Sequence, residues 1–394
     1  MNGISAGSPR TLPVAATAAW LSAGALLAGL LAGCGGNSPS PANSITVNTA
    51  TCGGQWSPVA PGWHTFHIQN QSTEAAEVDL IDPASGAIYA ELEASGPNTV
   101  NPLQVDVGSG SYAFRCLLED TDPVTGPTVR IPGHVRGAAA ILPVTTDDLI
   151  QPAREYRTYV TAGLNVLLAQ VKKLAAGIGS GNLAAARAAW LPAHLTYERL
   201  GAAYDSFGNF DGEIDGRATG LAGGVSSPQF TGFYRLEYGL WHGQSARQLT
   251  GLGNHLVKDV AALRAAWPGM EIGLLDIGLR TNEILENALE FQLTGTDDYG
   301  SGTTLATVGA NITGTRELLQ ILHPLLAARY TGLPSVYSWL DRLEGLITAQ
   351  HHRSGSWTPM SQLSTGDRQM INATLSQTLQ ELAPIAVITE PRRT

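Results

Sequence analysis

Near residue 140 the spacing of apolar residues along this chain changes, and that change limits the fold more than any single motif. Before it, "WHTFHIQNQS", "AAEVDLIDPASGAIYAELEA", "NPLQVDVGSGSYAFRC" and "GPTVRI" alternate apolar and polar side chains between clusters of Gly, Pro, Asn and Ser. That is the period of half-buried strands broken by turns, and over 46–133 it predicts a small all-β sandwich. After a linker at 134–147 containing Pro143, the helical period takes over for the remainder, 148–390. Asp147 or Asp148 is the expected cap of a first helix reaching about residue 176, followed by helices over 182–207, 232–241, 255–267, 272–293, 304–330, 335–350 and 367–382. Pro192 is expected to kink the second of these or to reset its start. The breaks fall in Gly-rich loops such as "GNFDGEIDGRATGLAGGVSSPQ", so the second domain reads as an all-α helical bundle.

A chain of 394 residues is long enough for two such cores. The formal net charge is -10, and the 23 Lys and Arg residues form no basic run. This excludes nucleic acid as a partner, because phosphate binding requires clustered cations. Acidity suits the handling of cations. Ahead of the β pattern, Arg10 precedes an apolar, alanine- and leucine-rich run ending in Leu31-Ala32-Gly33-Cys34, the composition of a secretory signal. That ending resembles a bacterial lipobox, which implies cleavage before Cys34, lipidation of its thiol and export to the cell envelope. Residues 35–45, with "GGNSPSP", then read as a flexible tether. With Cys34 spent on lipid, Cys52 and Cys116 remain as a pair in an oxidising compartment, for which a disulfide is the plain reading. The "YAFRC" strand and its loop resemble a cupredoxin, but Leu117 to Gly133 offers neither the Met nor the His of a type 1 copper site.

The helical half concentrates carboxylates on unusual faces. In "TGFYRLEYGLW", Phe233, Leu236 and Leu240 form a core stripe, and Tyr234, Glu237, Tyr238 and Trp241 make a second face beside it. Arg235 points elsewhere, leaving Glu237 without a local cation. Trp190, His194, Glu198 and Gly201 or Asp205 share one side of the preceding helix, and alone would read as a surface or satisfied core stripe. Asp205, Asp211, Glu213 and Asp215 crowd the loop after it, where oxygen ligands can adapt to a hard cation. Glu283, Glu286 and Glu290 fall at i, i+3 and i+7, the pattern of a solvated acidic stripe. No HExxH, GxSxG or GxxxxGK[ST] signal is present.

Taken in order, "WLPAHLTYERLGAAYDSFGNFDGEIDGR", "TGFYRLEYGLWHG", "NEILENALEFQLTGTDDYGSGTTLATV" and "LAPIAVITEPRR" resemble the imelysin family. The resemblance covers nearly everything after residue 46. It implies a cupredoxin-like β domain followed by an all-α imelysin domain of two packed helical bundles with a metal cleft between them. It also implies a binding role, not catalysis, in a bacterial iron uptake system, beside an iron permease and a haem peroxidase at the membrane. The residues that carry over are Glu198, Asp215, Glu237 and Glu286. Tyr234 stands where the family's His-x-x-Glu signature has its His, and a phenolate oxygen suits ferric iron. Iron is therefore the expected cargo, with copper or zinc as alternatives. In the front domain the resemblance implies a second metal site from Cys52, Cys116 and Glu77, unless the cysteines are bonded. The competing readings are an imelysin-type metallopeptidase, weakened by the missing His, and a metal-free envelope adaptor with a decayed site.

Overall fold

The structure, a computed structural model, describes residues 43–119 and 121–393. The signal segment, Cys34 and most of the tether lie outside the described residues.

Eight strands build the front domain: β1 (Ser44–Val47), β2 (Gly62–Asn70), β3 (Ala76–Ile81), β4 (Ile88–Ser95), β5 (Val100–Val107), β6 (Gly110–Leu118), β7 (Val124–Thr125) and β8 (Val129–Ile131). One sheet runs β1-β2-β5, with β1 parallel to β2; the other runs β4-β3-β6-β7, with β8 also paired to β6. β1 thus begins inside the segment read as tether. The alternation read from sequence has the expected result: Phe66, Ile68, Val78, Leu80 and Phe114 are fully buried between the sheets. Trp56 packs edge-on against Phe66 and Phe114, with centroids 5.7 and 5.0 Å away. Cys52 and Cys116 are joined as a disulfide across 64 positions of sequence, which in the chain-entropy account contributes about 4 kcal/mol.

That bond settles which alternative the cysteines take, and the sheet register separates them from Glu77. Val78 pairs with Cys116, so both face the core, whereas Glu77 and Asp79 project from the opposite face. There Glu77 meets Asp79 and Glu91. A site made of both thiolates and Glu77 is therefore not formed: the sulfurs are spent on each other, and the acid belongs to another cluster.

Eleven α-helices follow among the described residues. α1 (Thr146–Gly179) is capped by Thr145, with Asp148 closing a capping box three residues on; neither Asp147 nor Asp148 is itself the cap. α2 (Leu183–Glu198) starts from an Asn182 cap and runs through Pro192. α3 (Tyr204–Phe207) falls within the span 182–207 expected as one helix, while α4 (Asn209–Asp215) occupies the acidic segment expected to be loop, held there by buried Ile214. α5 (Gly232–Trp241) and α6 (Ala246–Ala266) complete a first bundle with α1 and α2. α7 (Asp276–Glu290), α8 (Thr304–Leu326), α9 (Leu333–Thr348), α10 (Thr365–Leu382) and α11 (Pro384–Thr389) form the second. α8 packs on both α1 and α2, so one apolar core runs through both bundles. No helix among the described residues is long and apolar enough to cross a membrane.

Two glycines set the distances near the acidic segment. Gly232 has φ +77°, and any Cβ there would collide with the Ile214 carbonyl oxygen, so the end of α4 lies directly against the start of α5. A Cβ at Gly314 would stand 2.7 Å from the Arg199 carbonyl oxygen, so α8 passes just as closely by the end of α2. After α11 the chain returns to the front domain. Arg392 donates from its backbone N–H to the Val144 carbonyl, 2.7 Å, and from Nε to Glu91, 2.8 Å, while Arg393 donates to the Leu118 carbonyl, 2.8 Å.

Candidate metal centre

The last turn of α2 and the last residue of α4 converge. His194 and Glu198, four apart on α2, share one face, and the close passage at Gly232 brings Asp215 opposite them. His194 Nε2 lies 3.0 Å from Glu198 Oε1 and 3.0 Å from Asp215 Oδ1. The three side chains are 1%, 3% and 8% exposed. Neither approach has the direction of a hydrogen bond: both imidazole nitrogens, Glu198 Oε1 and Asp215 Oδ1 are buried without a partner. Buried polar atoms are almost always paired, and here four ligand-type atoms at one point have no partner. Three ligand atoms placed to surround a cation give the same arrangement. With bonds of about 2.1 Å, adjacent ligands of an octahedral ion stand about 3 Å apart.

The surroundings hold this trio in place. Trp190, Phe233 and Tyr234 put their rings 4.8, 5.3 and 5.1 Å from the imidazole centroid, and Trp190 Nε1 is fixed by the Phe233 carbonyl at 2.9 Å. Asn311 of α8, with its amide nitrogen towards α2, donates to the Glu198 carbonyl at 3.2 Å and to Oε2 at 2.9 Å, leaving Oε1 aimed at His194. Tyr197 donates to Asp211 at 2.7 Å, tying α2 to α4. Protons are held tightly here. Burial pushes Asp215 up to about 8, against the pull of His194. Burial opposes charge on His194, but Asp215 and Glu198 outweigh it and raise the imidazole to about 10.

Tyr234 and Glu237, one turn apart on α5, lie beside His194 around a cavity of about 10 Å³ that also touches Gln292 and Asp297. Glu237 is 1% exposed. Its Oε1 accepts from the Ser301 backbone N–H at 2.9 Å, and its Oε2 has no partner. Burial raises its carboxyl to about 7. Arg235 indeed points elsewhere, to Gln244 at 3.0 Å. Burial and the nearby Asp215 and Glu198 hold the Tyr234 phenol well above its ordinary range, so only a cation would make it a phenolate.

Of the residues taken from sequence, the fold brings Glu198 and Asp215 into one cluster and sets Tyr234 and Glu237 at its flank. Glu286 does not join them. It is exposed on α7, accepting from Asn282 at 2.5 Å, because the core stripe of that helix is Ile277, Ile284, Leu285 and Ala288. His194 is the residue that sequence reasoning left out of the candidate set. Its signal was the i, i+4 spacing to Glu198 beside Trp190. On the other side of Glu198 and Asp215 opens a cavity of about 230 Å³, walled also by Gly201, Asp211, Arg217, Gln292 and Asn311.

Comparison with known proteins agrees with this architecture. Residues 152–335 match the family model described as imelysin, whose label is that of a peptidase family. The iron uptake system component EfeO of Yersinia pestis is 24% identical over 344 residues, covering 86% of this chain and 89% of the relative. The EfeO of Escherichia coli strain K12 is 23% identical over 348 residues, covering 88% and 90%. Residues 152–335 are thus similar to imelysin domains, with a β domain ahead of them, and most of the chain is similar to EfeO iron uptake components.

Proposed function

We propose that this protein is the extracytoplasmic iron-binding component of an iron uptake system, and that it binds iron without transforming it. One observation carries the reading: in the protein interior His194 Nε2 lies 3.0 Å from both Glu198 Oε1 and Asp215 Oδ1, and none of the three atoms has a hydrogen-bond partner. One imidazole and two carboxylates form a mixed N/O set that suits iron, with zinc and copper as competitors. Tyr234 and Glu237 stand ready at its edge, and Tyr234 would favour the ferric state. The relatives named as iron uptake components span nearly the same length, which supports the same role here. In this reading Cys34 carries the lipid that anchors the chain to the outer face of the cytoplasmic membrane, where an iron permease and a haem peroxidase are its partners.

Thermal unfolding of the purified mature protein with ferrous, ferric, zinc and cupric ions tests the centre. Iron should raise the melting temperature, more as free iron increases, and His194→Ala and Asp215→Asn should each remove most of that rise. A wild-type protein that no ion stabilises would overturn the proposal. The peptidase label of the family has one observation in its favour, the open side of the cluster facing a cavity of about 230 Å³. Cleavage of a peptide library by the metal-loaded protein, lost in Asp215→Asn, would establish that reading instead.

A further inference from the structure

We infer that the cleft takes its cation together with a small oxyanion, and that Arg217 holds the anion. The inference rests on the metal reading above and specifies the form of the cargo. His194, Glu198 and Asp215 offer one nitrogen and two oxygens. A six-coordinate iron needs further ligands, and the cavity of about 230 Å³ beside Glu198 and Asp215 is where they would come from. Gly201 sends no side chain into it. At about 30 Å³ per water, that space is larger than a few coordinated waters require.

Two groups on its wall have bonding capacity the chain leaves unused. The one hydrogen bond that the Arg217 side chain makes among the described residues runs from Nε to Asp297 Oδ2, 2.6 Å, and its guanidinium lies over the Phe291 ring at 4.0 Å. Both terminal nitrogens remain free on a group whose position is fixed. Gln292 is 2% exposed, and its Oε1 has no partner; as an acceptor it suits the cation's side of the cavity or the hydroxyl of bicarbonate, and Arg217 alone is left to hold the anion's charge. A planar guanidinium with two free nitrogens matches the edge of a carboxylate or carbonate better than any other side chain. The remaining wall is acidic, with Asp211 beside Glu198 and Asp215. Those charges repel a free anion, so it enters only with the cation or after it. Each partner then tightens the other by the same factor.

The test is calorimetric titration of the mature protein with ferrous ion, without oxygen and in a non-coordinating buffer. It is run alone and with bicarbonate or oxalate, correcting for the metal each anion holds in solution. Either anion should tighten iron binding about tenfold or more, and neither should bind without metal. In Arg217→Gln the ratio of affinities with and without anion should fall to about one. Should that variant not fold, Arg217→Lys keeps the charge beside Asp297 but offers no planar pair of donors, and the ratio should again collapse. Iron affinity that neither anion changes, a gain that survives in the variants, or anion binding without metal overturns the inference while the metal centre stands. Absence of iron binding under every condition overturns both.

Discussion

Consider Glu237→Gln in the metal-free protein. Burial raises the Glu237 carboxyl from the ordinary 4.5 to about 7, and the hydrogen bond from Ser301 only partly offsets it. A group held neutral by folding supports the folded state at low pH and loses that support as pH rises. The contribution is full below about 4.5 and gone above about 7, where the ionised carboxylate costs about 3 kcal/mol. Because the side chain is 1% exposed, solvent screening takes little from that figure. Glutamine keeps the shape and the acceptor for Ser301 but cannot ionise. At about pH 8 the variant should therefore melt higher than wild type, by up to about ten degrees. At about pH 5 the difference should shrink to less than about 1 kcal/mol. Iron stabilisation should move the other way: wild type gains from the cation that neutralises Glu237, and the variant gains less. Thermal unfolding of chelator-treated protein across this pH range measures the effect. A variant less stable than wild type at about pH 8, or equal pH slopes for the two, would refute the reasoning.

Iron affinity should rise with pH, because Asp215 and Glu198 raise the metal-free His194 imidazole while burial raises the Asp215 carboxyl, so the cluster holds a proton that it must shed to coordinate. Calorimetry in buffers of different ionisation heat should count about one proton released, and a flat profile between about pH 6 and 8 would contradict this. Tyr234→Phe should weaken ferric binding and abolish any phenolate-to-iron absorption band, whereas Tyr234→His should shift preference towards zinc, read by competition between the two ions. Thiol labelling of the unfolded mature protein without reductant should find Cys52 and Cys116 blocked, and Cys116→Ala should cost about 4 kcal/mol in denaturant unfolding. Cys34→Ala should move the protein from the membrane to the soluble fraction, and unchanged fractionation would exclude the anchor.

The order of strands and then helices was legible because periodicity is local. What escaped was set by contacts between distant segments. α4 carries Gly212 and is bracketed by Gly208 and Gly216, which reads as loop; Ile214, buried in the core beside α5 and α6, makes it a helix. The acidic stripe of α7 pointed to Glu286, yet which side of a helix faces a cleft depends on its neighbours. His194 failed for the same reason. An i, i+4 His and Glu on a helix look alike whether the face is wet or dry, and only the approach of α4 and α5 makes it dry. Glu77 was paired with the wrong partners because strand register, which decides the face a residue takes, cannot be read before the partner strand is known.

The two acidic clusters of this molecule explain why one of them calls for a ligand. Glu77, Asp79 and Glu91 gather on the outer face of the front domain, and the chain brings its own cations to them. Arg115 binds Asp79 Oδ2 through Nε and Nη2 at 3.1 and 2.7 Å, Arg392 takes Glu91 at 2.8 Å, and the charge of Arg393 acts on Glu77. Two of the three carboxylates are ion-paired with arginine, one of these from the C-terminal tail, so this cluster fastens one domain to the other. Glu198 and Asp215 are buried as deeply with one imidazole between them, and Glu237 lies at their side. The one arginine on that wall, Arg217, is ion-paired with Asp297. Burying carboxylates without matching positive charge costs several kcal/mol, and a fold that supplies arginines to one cluster has the means to supply them to another. Among the described residues no arginine is ion-paired with Glu198 or Asp215, which leaves room, charge and open ligand atoms for a cation from outside.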